Sequence, residues 1–110
     1  MTEVQKLRIE GFRAQLGFRG IKVRIGNLPW VSALMDTQPP QSGQNVSGEA
    51  DRASGILAVL REDLTLAGYT GPTIGQAFEQ EGGVIHRIAE VRDVPIDIAV
   101  RFPVETSQPT

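Results

Sequence analysis

His86 is the only histidine in the 110-residue chain and stands between Ile85 and Arg87, in a stretch that alternates apolar and polar side chains. Without a second histidine or any cysteine, no imidazole–thiolate set exists to hold a transition metal. The acids that could be paired for proton transfer are Glu62 with Asp63 and Glu79 with Glu81. General acid catalysis needs one carboxyl with a raised pKa, and nothing adjacent in sequence desolvates either pair. Solvated turn acids explain them. Ser32, Ser42, Ser47, Ser54 and Ser107 lack the strained, glycine-flanked turn that exposes a serine nucleophile. Gly68, Gly71 and Gly75 do not follow a strand and open a helix, as a phosphate-cradling loop must. The residue types therefore assemble no catalytic centre, no metal site and no cofactor site. The expectation is a protein that is not an enzyme and that works by fitting against other proteins.

Charge is the next property able to do chemistry, and it is unevenly spread. The net charge is −2. Residues 1 to 24 hold Lys6, Arg8, Arg13, Arg19, Lys22 and Arg24 against Glu3 and Glu10, a net of +4, and the remainder carries −6. Opposed charge along the chain suits two faces that meet complementary neighbours. Nucleic acid is a poorer target. Phe12, Phe18, Trp30, Tyr69, Phe78 and Phe102 never interleave with Lys or Arg along one strand face, as a single-strand binding platform requires.

Few elements are needed to position these groups, and they fit one domain spanning 1–110. Apolar residues make up 40% of the chain but aromatics only 5%, so Val, Ile, Leu and Ala must fill a thin core. The absence of cysteine suits a reducing cytoplasm, the start lacks the basic-then-apolar pattern of a secretory signal, and no apolar run is long enough to cross a bilayer.

Val4, Leu7, Phe12 and Leu16, with Ile9 close by, recur at helical spacing, which predicts an amphipathic helical arm over residues 1–17 with that stripe against the body. Thr2 is its N-cap and Gly17 its stop. From Ile21 the period becomes two: Ile21, Val23 and Ile25 oppose Lys22 and Arg24. Gly26-Asn27 turns the chain into a second strand, in which Leu28, Trp30, Ser32 and Leu34 oppose Val31 and Ala33. Pro29 places it at an edge or marks its first residues. Strand pattern resumes at Ile56–Arg61 and recurs around Ile74–Glu79, over Val84–Val91, and over Ile96–Phe102, where Ile96, Ile98, Val100 and Phe102 oppose Asp97 and Arg101. Residues 20–36 and 55–102 thus predict a mainly β fold, a small antiparallel β-barrel or sandwich with a short N-terminal helix, followed by a polar tail over 103–110.

Residues 37–54 read TQPPQSGQNVSGEADRAS. One valine among so many Gln, Ser, Gly and Pro residues buries too little to offset ordering entropy. A loop of that length inside a small domain implies a segment that becomes ordered on assembly. Within it Gln38, Pro39, Pro40, Gln44, Asn45 and Arg52 are the expected contacts, alongside the basic arm Lys6, Arg8, Arg13 and Arg19. Trp30 is the expected anchor, either capping the barrel or filling a neighbour's pocket.

The order of parts carries a resemblance. A helix ending in FRAQLG, the strand pair GIKVRIGNLPWVSALMD, a long polar loop, ILAVLREDL and the closing GGVIHRIAEVRDVPIDIAVRF resemble the small β-barrel head-completion or stopper proteins of tailed bacteriophages. The likeness covers nearly the whole chain but rests on layout and on the aliphatic-Arg-Ile phrase between Ile85 and Val91. It implies a structural virion protein of the neck, assembled in the host cytoplasm. It further implies a homo-oligomeric ring between the DNA-filled head and the tail, in contact with the adjacent adaptor or portal ring and with tail-side proteins. DNA would pass through the ring without sequence-specific binding, and no membrane is involved. Tail-terminator and tail-tube barrels share this size, and a stand-alone module binding peptide or nucleic acid is the rival from another class.

Overall fold

A computed structural model describes residues 2–37 and 53–107. Its elements in order are α1 (Glu3–Arg19), β1 (Ile21–Arg24), β2 (Val31–Thr37), β3 (Ala53–Leu60), α2 (Arg61–Leu66), β4 (Ala77–Gln80), β5 (Ile85–Ile88) and β6 (Ala99–Ser107). The six strands form a closed barrel in the order β1-β2-β3-β6-β5-β4, every pairing antiparallel. The mainly β fold with an N-terminal helix agrees with the alternation in the sequence.

Register decides which side chains meet inside. Val23 pairs with Val31, Ala33 with Val59, Leu57 with Phe102, Val59 with Val100, Phe78 with His86, and Ile88 with Val104. All of these are buried. Because side chains alternate across a strand, each such pair points inward together. Phe78 and Phe102 meet edge to face with centroids 5.2 Å apart, and Tyr69 stacks on Phe78 at 6.5 Å. Leu34, Leu60 and Ala99 are also buried but lie outside this inner cluster. Their opposite strand parity places them on the barrel's outer wall, where α1 lies against β2 and α2 against β2 and β3.

Several boundaries depart from the sequence expectation. α1 runs past Gly17 and stops at Gly20, where an added Cβ would sit 2.4 Å from the Leu16 carbonyl oxygen. β2 begins at Val31, after Pro29 and Trp30, with Val31 and Ala33 facing in. Thr37 and Ala53 belong to β2 and β3, so the connection is the shorter 38–52. Leu64 and Leu66 lie in α2, which buries Leu64 and leaves Leu66 exposed.

The cleanest predicted strand is shifted by several residues. Ile96 is 79% exposed, and β6 begins only at Ala99. Arg61 explains the shift: it donates to the carbonyls of Val94 and Asp97 and pairs with Asp93 at 2.6 Å, holding residues 93–97 as a turn. At its other end β6 absorbs Pro103 to Ser107, expected as a polar tail. Pro103 is tolerated because Arg101, two residues earlier, exchanges backbone bonds with Arg92, so the Pro103 nitrogen faces the same side. On that side β5 has already ended at Ile88, and the Pro103 carbonyl accepts from Ala89 and Glu90 without an amide being required in return.

Candidate assembly surface

α1 begins with a reciprocal cap: the Thr2 hydroxyl accepts from the Gln5 amide at 3.1 Å, and Gln5 Oε1 accepts from the Thr2 amide at 3.0 Å. No residue of its 17 is buried. Gln5, Ile9, Phe12 and Leu16 are half-buried, and this is the face turned to the barrel. The expected stripe was therefore half right. Phe12 and Leu16 face the body, whereas Val4 and Leu7 are 59% and 64% exposed, and Phe18 is 95% exposed. Ile9 lies four residues from Gln5 and three from Phe12 and so shares their face, and it is this face that meets the outer wall of β2.

The basic arm divides in function. Arg13 donates to Glu62 and, at 3.0 Å, to Asp63, so it clamps α1 to α2 within the same chain. Those bonds hold its guanidinium pKa above the ordinary value. The acid pair singled out in the sequence is thus a docking site for the helix. Lys6, Arg8 and Arg19 are exposed on α1 and form no ion pair among the described residues. Lys22 donates to the Ser32 hydroxyl at 2.7 Å across β1 and β2.

Trp30 does not cap the barrel. It is 37% exposed on the β1–β2 connection, with the Arg24 guanidinium 4.5 Å from its ring centroid and Arg24 paired in turn with Glu79 at 3.3 Å. The connection is held by Tyr69, whose hydroxyl donates to the Pro29 carbonyl at 2.8 Å and accepts from the Ile25 amide at 3.2 Å. Burial raises the Tyr69 pKa, opposed by the Ile25 hydrogen bond and by the Arg24 charge.

His86 lies inside the barrel, 3% exposed. Its Nε2 donates to Gln80 Oε1 and its Nδ1 accepts from the Thr106 hydroxyl, each at 2.8 Å. Both ring nitrogens are satisfied by neutral partners, and burial lowers the imidazole pKa. This polar group closes one end of the barrel, and Leu64 and Tyr69 pack at the other. β2 and β3 leave for their connection at the His86 end, since Ala53 pairs with Thr106 and Thr106 with His86.

Gln38, Pro39, Pro40, Gln44, Asn45 and Arg52 lie outside the described residues. Among the described residues, no three His, Asp or Glu side chains converge as metal ligands, and no helix is long and apolar enough to cross a membrane. Between α1, α2 and the 93–98 turn runs an open groove of about 590 Å³, lined by Gln5, Ile9, Thr65, Leu66, Pro95 and Ile98. Leu66, Val94 and Ile96 stand exposed beside it. No family model matches the chain, and a search of curated proteins finds no match.

Proposed function

We propose that this protein is a structural subunit that assembles with copies of itself and with neighbouring proteins. In its finer form, the proposal places it in a ring of the neck of a tailed bacteriophage, between the head and the tail. The observation that carries the proposal is α1: a capped helix of 17 residues laid on a closed barrel with none of them buried and with Val4, Leu7 and Phe18 turned to solvent. A closed barrel offers no free sheet edge for strand addition, so contacts with other proteins must come from helices, connections and side-chain patches. Large apolar side chains kept at the surface are the mark of an interaction face. The support for the neck ring is the resemblance in layout of helix, strand pair, long connection and closing strands, at a size shared by tail-terminator and tail-tube barrels.

Sedimentation and native mass measurements over a wide concentration range test the general proposal, and imaging of particles containing the chain tests the finer one. Self-association or capture onto a partner ring is expected. A chain that stays monomeric up to millimolar concentration and binds no ring of neck proteins overturns it.

A further inference from the structure

The outward residues of α1 repeat with the spacing of a two-helix seam. Val4, Leu7, Gly11, Ala14 and Phe18 are separated by three, four, three and four residues, and all five are exposed. Gln5, Ile9, Phe12 and Leu16, which lie against the barrel, occupy the other side of the same helix. The helix thus has one apolar face used within the chain and a second, independent one that is not. In heptad terms the second face supplies both core positions, and Glu3, Glu10, Arg8 and Gln15 are the residues that flank it. Glu3, Arg8 and Glu10 form no ion pair among the described residues.

The flanking charges identify the occupant. When two such helices pair in parallel and in register, the residue before one core position faces the residue five places later on the partner. Glu3 then meets Arg8 of the other copy, and the same contact forms a second time by symmetry. Glu10 meets the neutral Gln15. An antiparallel pair that set Leu7 of each copy opposite Gly11 of the other would bring Glu10 against Glu10 and Arg8 against Arg8. We infer that α1 pairs in parallel with α1 of a second copy of this chain along Val4, Leu7, Gly11, Ala14 and Phe18, with Glu3 of each copy facing Arg8 of the other.

Gly11 and Ala14 let the two backbones approach at the centre, and Phe18 closes the seam at the C-terminal end. The exposed parts of Val4, Leu7 and Phe18 supply on the order of 400 Å² per helix, about 800 Å² for the pair, below the ~1,200 Å² of a stable interface. The pairing is accordingly weak and concentration-dependent. It is also isologous and closes at two copies, so it does not itself build a ring and does not depend on the neck reading.

The cysteine-free chain makes the test direct. Leu7→Cys and Ala14→Cys are each made alone in the full chain and oxidised mildly at high concentration. Parallel, in-register pairing gives a disulfide-linked dimer from each single variant. Linkage only when the two variants are mixed means antiparallel helices and overturns the inference, as does no linkage in any combination. A chain that builds rings yet fails to link at 7 and 14 overturns the pairing and leaves the ring proposal standing. Arg8→Glu, on a fully exposed side of the helix, weakens dimerisation at least tenfold in low salt, and adding Glu3→Arg restores it. Equal association by wild type, single and double variants overturns the charge assignment and the inference with it.

Discussion

Replacing Tyr69 by Phe removes one oxygen and nothing else from the buried end of the barrel. The ring keeps its stacking on Phe78, so no cavity opens. What is lost is a 2.8 Å bond to the Pro29 carbonyl and a 3.2 Å bond from the Ile25 amide. The first contributes about 1 kcal/mol, and the second, longer bond adds about 0.5–1 kcal/mol because water reaches only part of the half-buried Ile25 amide. Tyr69→Phe should therefore cost about 1.5–2 kcal/mol of the ~5–15 kcal/mol that holds such a domain together. For a chain of this size that lowers Tm by about 6–9 °C.

Urea unfolding followed by Trp30 fluorescence measures the cost, with an unchanged m-value as the check that both states are otherwise alike. A pH series adds a signature. Folding raises the Tyr69 pKa above its ordinary 10.0, so the folded state holds the proton longer than the unfolded chain. That contribution is intact below pH 10.0 and is lost as pH rises through the folded value, so the gap between wild type and Tyr69→Phe narrows in alkali. As the only tyrosine, it can be titrated directly by absorbance. Equal stability of the two proteins at neutral pH would refute the claim that this hydroxyl fastens the β1–β2 connection.

His86 carries a pKa held below its ordinary 6.5 by burial, so the unfolded chain binds more protons and wild type loses stability as pH falls below 6.5. His86→Gln should show a shallower loss in urea midpoints measured between about pH 7.5 and about pH 5; parallel curves would contradict this. Phe102→Ala empties the position where Leu57 and Phe78 converge and should cost about 3–5 kcal/mol, visible as a broadened or absent cooperative melt. A cost under about 1 kcal/mol would mean that the core is not built around it. Gly20→Ala and Gly17→Ala should move denaturation midpoints in opposite directions. At Gly20 the added Cβ strikes the Leu16 carbonyl, for a loss of about 1–3 kcal/mol. At Gly17 it enters open space on a helix, for a gain of about 0.5–1 kcal/mol; shifts of the same sign would show the helix end misplaced.

Some of this was open to reading in the residues alone. Alternation over Ile21–Arg24 and around Val100–Phe102 is a local property, because a strand's side chains point to opposite faces whatever lies beyond it, and from it the antiparallel β class followed. Thr2 as N-cap was equally local: its partner Gln5 is three residues away. The lack of metal-ligand spacing around His86 was also plain, though not that Gln80 and Thr106 would satisfy its ring. Those partners come from β4 and β6 and meet His86 only when the barrel closes.

What the tertiary structure alone decided turns on groups far apart in the chain. Helical spacing allowed either Val4 and Leu7 or Ile9 as the inward companions of Phe12 and Leu16. The choice was made by where the outer wall of β2 lies and by Arg13 reaching Glu62 and Asp63 some fifty residues away. Ile96 and Ile98 alternate perfectly, yet Arg61 holds the carbonyls beside them in a turn, and side-chain bonds to backbone leave no periodic trace in sequence. Pro103 reads as a breaker until the early end of β5 removes the need for its missing amide. Periodicity reports how a segment relates to itself, and these outcomes depended on which distant segment arrived beside it.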